Sequence, residues 1–97
     1  MQNPTHTTTE ATTVTISGGT EGQTGTILFS QGASGYTVTM PTNGVGVEYD
    51  SQLLLLGGGT YAPAIVDPTA LTRTLLSYRV LANGKAYIFA RSVNTIP

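Results

Sequence analysis

The chain contains no cysteine and no tryptophan, and only 9% of its 97 residues are charged, against about 25% in an ordinary soluble domain. The lack of cysteine excludes disulfides and thiolate chemistry. The four basic and five acidic residues give a net charge of −1, so the sequence offers no basic patch that could follow a phosphate backbone. We therefore expect no nucleic-acid partner.

Long apolar runs are missing as well. No stretch reaches the length of about 18 residues that a membrane-spanning helix needs. The first ten residues have neither the basic start nor the apolar stretch of a secretory signal peptide. We therefore expect a protein made in the cytoplasm, with no membrane partner.

Few side chains are suited to catalysis. His6 is the only histidine, and a histidine base or a Ser-His-Asp triad needs an imidazole that the fold holds in place. Glu48 and Asp50 could bind calcium with Asn43 and Ser51, or serve glycoside hydrolysis, but solvated charges at a strand end are the simpler interpretation. The five tyrosines could stack on sugar rings, although core packing accounts for them too. The sequence predicts no enzyme, metal or cofactor.

Short β-favouring runs separated by turn residues dominate the chain. The predicted strands cover residues 12–17, 25–30, 36–40, 45–49 and 52–56, with a Gly-containing hairpin loop between the second and third. Asp67 and Pro68 could begin a single helical turn over residues 67–73. Frequent turn signals are typical of sandwiches and jelly-rolls. We therefore predict an all-β fold, a small antiparallel β-sandwich or jelly-roll over residues 12–97, preceded by a flexible Thr-rich arm of residues 1–11.

Residues 75–91 are the most informative stretch. Asn83-Gly84 tolerates two successive positive φ angles and predicts a two-residue hairpin turn, which sets Val80 opposite Tyr87 and Tyr78 opposite Phe89. In that register both faces of the hairpin are apolar, whereas a hairpin over a one-sided core is polar outside. Both faces then need cover, and other copies of the chain would supply it. The predicted subunit interface comprises Leu75, Arg79, Leu81, Ile88, Leu54 and Leu56.

On one face of the predicted hairpin, Arg79 is a cation between the apolar side chains of Leu75, Leu81 and Ile88. A cation in such a place needs a partner, because an unpaired buried charge is costly. We expect it to pair with a carboxylate of another subunit, Glu48 or Asp67.

Residues 22–41 carry a family resemblance. Their sequence, Gly-Gln-Thr-Gly-Thr-Ile-Leu-Phe-Ser-Gln-Gly-Ala-Ser-Gly-Tyr-Thr-Val-Thr-Met-Pro, resembles a module that recurs in surface proteins of tailed bacteriophages. The Gly-Gly-Thr-Tyr-Ala-Pro stretch at residues 58–63 and the final hairpin complete the pattern, which covers roughly residues 14–92.

This resemblance implies a non-enzymatic structural protein of the virion. The first interpretation is a capsid decoration (cement) protein that binds the major capsid protein as a homotrimer, on the capsid surface of a phage assembled in the host cytoplasm. Residues 1–11 would then order on the capsid through Thr7, Thr8 and Thr9, and removing them should reduce attachment while leaving the melting temperature almost unchanged. The alternative is a head-fibre or tail-fibre tip domain that binds a host receptor or host-surface glycan, which a fragment of a longer fibre would favour.

Overall fold

The fold is described from a computed structural model, which places residues 5–17, 19–54 and 65–96, with the backbone alone for Leu54. These residues contain seven strands and one short helix. They are β1 (Thr5–Thr8), β2 (Thr12–Thr13), β3 (Thr24–Gln31), β4 (Val38–Thr39), β5 (Val47–Tyr49), α1 (Ser51–Leu54), β6 (Thr72–Val80) and β7 (Ala86–Thr95).

Five of the strands form one mixed sheet in the order β1-β3-β6-β7-β5. The central strands β3, β6 and β7 are antiparallel neighbours, whereas the edge strands β1 and β5 run parallel to the strands beside them. Strands β2 and β4 make a separate two-stranded parallel ribbon. The predicted β-rich fold is confirmed, but the main sheet is mixed rather than antiparallel. The sandwich or jelly-roll arrangement and the trimer stay predictions.

One face of the five-stranded sheet is buried, and we call it the inner face. Side chains alternate between the two faces of a strand, and along β6 burial alternates from Thr72 to Val80. The apolar core joins this face to β4, α1 and the segment before β6. Its buried members are Ile27, Phe29, Val38, Met40, Val47, Tyr49, Leu53, Ile65, Val66, Leu76, Tyr78, Val80, Ala86 and Ile88.

The predicted hairpin between residues 25–30 and 36–40 is wrong. Strand β3 pairs with β1 and β6, and β4 pairs with β2. The buried side chain of Gln31 separates the two strands, because its amide forms both hydrogen bonds with the backbone of Tyr36, at 2.9 and 3.1 Å. Its Nε2 also donates to the carbonyl of Asp67 at 3.1 Å. The Gln31 amide thus satisfies the backbone N–H and carbonyl of Tyr36, as a neighbouring strand would have done.

Two further local predictions fail. Of the strand predicted over residues 52–56, residues 52–54 belong to α1 and the last two lie outside the described residues. The Asp50 carboxylate accepts from the Gln52 N–H at 3.1 Å, as an N-cap does. Around Asp67 the predicted helical turn is replaced by a turn in which the carboxylate accepts from the Thr69 N–H at 2.8 Å, and β6 begins at Thr72. No helix in the described part of the chain is long and apolar enough to cross a membrane.

The β6–β7 hairpin exists, but its register differs from the predicted one by one residue. Val80 lies opposite Ala86 rather than Tyr87, and the loop has three residues, closed by the bond from Leu81 N to Lys85 O at 2.9 Å. Gly84 takes the single left-handed position, at φ 80°, as expected of a turn followed by a glycine bulge. A one-residue slip moves side chains to the opposite face. Ile88 is therefore fully buried in the core, and Tyr87 and Phe89 lie on the other face.

The N-terminal segment also differs from the prediction. Instead of forming a wholly flexible arm, residues Thr5–Thr8 pair with β3 along Leu28–Gln31. Thr8 is only 1% exposed. Part of the predicted arm is therefore an edge strand of the main sheet.

Candidate functional site

The face of the main sheet turned away from the core is the first candidate surface. We call it the outer face, and it is built from side chains that alternate with the buried ones on β3, β6 and β7. Phe89 is 48% exposed and Leu75 37% exposed, and the rings of Tyr87 and Phe89 lie 6.1 Å apart between centroids. The larger side chains of the outer face are those of Leu28, Arg73, Leu75, Arg79, Tyr87 and Phe89.

A β-bulge explains why Phe89 projects from this face. Ile88 pairs with Tyr78, but Ala90 pairs with Ser77, so Phe89 is an extra residue in β7 without a partner in β6. A bulge of this kind redirects a side chain and increases local twist. The sequence predicted Phe89 on the same face as the buried Tyr78, and the slipped register turned it outward.

The predicted subunit interface is only partly on the outer face. Leu75 and Arg79 lie there, and both are exposed. Ile88 is wrong as an interface residue because it is 0% exposed in the core. Leu81 is half-buried beside the hairpin loop. Leu56 and the side chain of Leu54 lie outside the described residues.

Arg79 sits opposite Tyr87, which in turn sits opposite Glu48 on β5. Arg79 and Glu48 therefore share the outer face two strands apart, about 10 Å by the usual strand spacing. Pairing of Arg79 with Glu48 or Asp67 of another subunit stays a prediction.

A second candidate lies beside the outer face, between the turn before β5 and the β6–β7 loop. This cavity, which we call the edge pocket, has a volume of about 300 Å³ and is lined by Asn43, Glu48, Tyr49, Leu81 and Tyr87. From the sequence, Asn43 and Glu48 could have bound calcium with Asp50 and Ser51, but solvated charges at a strand end were the favoured interpretation. The sequence had not placed Leu81 or Tyr87 with them, because their positions depend on the hairpin register.

Hydrogen bonds fix the polar groups of the edge pocket. The Oδ1 of Asn43 accepts from the Tyr49 N–H at 3.0 Å, and the Tyr87 hydroxyl donates to Oδ1 of Asp50 at 3.1 Å. That bond raises the pKa of Tyr87. Burial raises the pKa of Tyr49, whose hydroxyl donates to the carbonyl of Pro41 at 2.6 Å. Both phenols therefore stay neutral and able to donate at physiological pH.

The carboxylates of this region do not form a cation cage. Both oxygens of Asp50 already accept hydrogen bonds, one from Tyr87 and the other from the Gln52 N–H. Across the described residues, no group of three or more histidine, cysteine, aspartate or glutamate side chains could hold a metal ion.

His6 lines a third hollow, a groove of about 410 Å³ between β1, β3 and residues 12–17. The floor of the groove is apolar, with Val14, Ile16, Ile27 and Phe29, and the His6 ring meets the Phe29 ring edge-on at 6.2 Å. The described residues that line it include no carboxylate that could orient the imidazole. A general-base role for His6 gains no support from this arrangement.

The predicted capsid-contact residues divide between surface and core. Thr7 and Thr9 are exposed, whereas Thr8 is buried. Thr8 therefore has no surface to offer a partner while β1 stays paired with β3.

No protein-family model, curated protein or solved structure matches this chain.

Proposed function

We propose that the chain is a non-enzymatic structural protein of a bacteriophage virion, a capsid decoration protein that binds the head surface as an oligomer and stabilises it. The observation that supports this function is the composition of the outer face. It brings together a tyrosine, a phenylalanine and two of the four basic residues of a chain with few charges.

These residue types suit a protein interface. Aromatic residues and arginine are enriched at interfaces and supply much of their binding energy, while lysine and glutamate are depleted. The outer face exposes Leu75 and Phe89 beside Arg73 and Arg79. Burying such a face against another subunit or a capsid protein would add contact area across the joint, which is how a cement protein stabilises a shell.

Self-association is the first test. Sedimentation of the purified protein at micromolar concentration should give a discrete oligomer, with a trimer expected. A Leu75→Ser, Phe89→Ser double variant should shift the protein toward the monomer, because it removes apolar area from the outer face. Val45→Ser is the matched control, since Val45 is 65% exposed in the turn before β5 and outside that face. A monomeric parent protein would contradict the proposed assembly.

Capsid binding is the second test. The protein should co-sediment with expanded heads of the parent phage and raise their melting temperature, and the double variant should lose both effects while Val45→Ser keeps them. Equal binding by the double variant and the parent would show that the outer face is not the capsid contact.

A head-fibre or tail-fibre tip domain is the second candidate function. The edge pocket favours it, because simple reinforcement of a shell does not need a cavity in which hydrogen-bonding groups lie beside an apolar side chain. A tip domain should bind host cells or their glycans and leave capsid stability unchanged, so the capsid assay separates the two functions.

A further inference from the structure

We propose that the edge pocket binds a single neutral hexopyranose ring, with Asn43 and Glu48 holding two neighbouring hydroxyls. The inference is argued from the geometry of the pocket, and it specifies the kind of sugar that the second candidate function would recognise. It does not depend on capsid binding through the outer face.

Hydrogen bonds to other groups orient the Asn43 amide and the Glu48 carboxylate in the pocket. The Oδ1 of Asn43 is committed to the Tyr49 N–H, which orients the side-chain amide so that its two N–H donors remain for a ligand. Glu48 lies on β5 with one carboxylate oxygen at 3.5 Å from Nδ2 of Asn83, which leaves the other oxygen to accept. A group that is already oriented loses less entropy when the ligand arrives.

A vicinal diol matches this arrangement, because each hydroxyl both donates and accepts a hydrogen bond. One hydroxyl would accept from Asn43 and its neighbour would donate to Glu48. The Tyr87 oxygen, whose proton points to Asp50, could accept from a third. Leu81 provides the apolar wall that the C–H groups of a sugar ring need.

Charge and size narrow the ligand further. Glu48 and the nearby Asp50 disfavour acidic sugars, since their carboxylates would repel an anionic ligand in the pocket. The volume of about 300 Å³ is at the lower end of the range of about 300–1,000 Å³ for ligand pockets. One neutral ring therefore fits better than an oligosaccharide bound along its length.

The test is a titration of the isotope-labelled protein with methyl glycosides of glucose, galactose and mannose, followed by NMR. At least one glycoside should produce saturable shifts in the Asn43 side-chain amide and in the signals of Leu81 and Tyr87. A dissociation constant of about 1 mM is the expected scale for so small a contact, corresponding to about −4 kcal/mol.

Two variants test the assigned roles without removing the supporting bonds. Asn43→Asp keeps the oxygen that accepts from Tyr49 but loses the donors, and Glu48→Gln keeps the shape but loses the charged acceptor. Each should weaken sugar binding about tenfold or more, the effect of losing one good hydrogen bond. Asn94→Asp, an exposed site near the end of β7, makes the same change of charge elsewhere and should bind as the parent does.

The outcomes separate this inference from the proposed function. Shifts absent for all three glycosides, or unaltered by Asn43→Asp and Glu48→Gln, would overturn the sugar site. Shifts at these residues with calcium chloride in place of sugar would also overturn it, in favour of a cation site. Sugar binding by the Leu75→Ser, Phe89→Ser variant together with lost capsid binding would leave the inference intact, because the two surfaces then act independently.

Discussion

At the scale of single residues, two buried threonines of the main sheet differ in one hydrogen bond. Thr8 and Thr74 are each 1% exposed. The hydroxyl of Thr74 accepts from the Asp67 N–H at 3.0 Å, whereas the Thr8 hydroxyl has no hydrogen-bond partner among the described residues. A buried polar group without a hydrogen-bond partner lowers the stability of the folded state, whereas one with a partner adds to it. The same substitution should therefore have opposite effects at the two sites.

We predict that Thr8→Val raises the free energy of unfolding by about 1 kcal/mol, because it replaces an unpaired hydroxyl with a methyl group of similar size. Thr74→Val should lower it by about 1–3 kcal/mol, because the partly buried Asp67 N–H loses its acceptor. Urea denaturation of both variants measures the difference. A loss of stability in Thr8→Val comparable to that in Thr74→Val would show that the Thr8 hydroxyl is hydrogen-bonded in solution.

At the scale of elements, the sequence predicted strands better than their partners. The β-favouring run of residues 25–30 is a local feature of the sequence, and it correctly predicted β3. The pairing of β3 with β1 and β6 depends on a side chain, Gln31, whose hydrogen bonds to Tyr36 cannot be read from alternation. The leucine run gave a strand prediction where Asp50 caps a helical turn instead.

The hairpin register shows the same limit for the candidate site. Asn83-Gly84 fits both a two-residue loop and a three-residue loop with glycine last, and local propensity does not choose between them. The shorter loop would have buried Tyr87 and Phe89, whereas the longer one buries Ala86 and Ile88. Leu75 and Arg79 were predicted in a subunit interface and do lie exposed on the outer face, while the interface itself stays a prediction. The edge pocket was not foreseen because Tyr87 reaches Asp50 only in the longer-loop register.

Two glycines in the turn before β5 both adopt a backbone conformation that is strained for other residues, but only one of them is in close contact with another segment. Gly44 and Gly46 both have positive φ, at 96° and 75°. A Cβ on Gly44 would meet nothing within 4 Å, whereas one on Gly46 would lie 2.3 Å from the carbonyl oxygen of Ile16. Gly46 therefore lets the turn before β5 pack directly against the backbone of residues 14–17.

We expect Gly44→Ala to lower the free energy of unfolding by about 1–2 kcal/mol, the cost of a left-handed conformation for a residue with Cβ. Gly46→Ala should cost about 1–3 kcal/mol more, because the overpacked contact with Ile16 adds to that strain. Chemical denaturation of the pair measures the excess. Equal losses would mean that residues 14–17 move aside at little cost.

At the scale of the whole molecule, the chain exposes apolar side chains on one sheet face although it has only a small core and few charges. A domain of 97 residues buries between about 60% and 70% of its unfolded surface, and here the core occupies only the inner face of the main sheet. The low charge content gives little repulsion to keep copies apart. These features together favour association through the outer face, and they make each edge strand important to the thin core.

The edge strand β1 leads to the last prediction, which reverses an expectation from the sequence. Deletion of residues 1–11 removes the parallel pairing of Thr5–Thr8 with Leu28–Gln31 and uncovers the edge of the sheet beside Phe29. Since each ladder hydrogen bond contributes about 0.5–1.5 kcal/mol, the free energy of unfolding should fall by about 2–4 kcal/mol. Thr7→Ala, which changes only an exposed side chain of β1, is the control and should stay within about 0.5 kcal/mol of the parent.

Thermal and urea denaturation of the truncated protein measure this loss, and capsid co-sedimentation should be performed at a temperature where the truncated protein is still folded. If attachment is lost under those conditions, β1 contributes to the capsid contact as well as to the fold. An unchanged melting temperature after truncation would contradict the pairing of β1 with β3, and residues 1–11 would then be the flexible arm that their composition predicts.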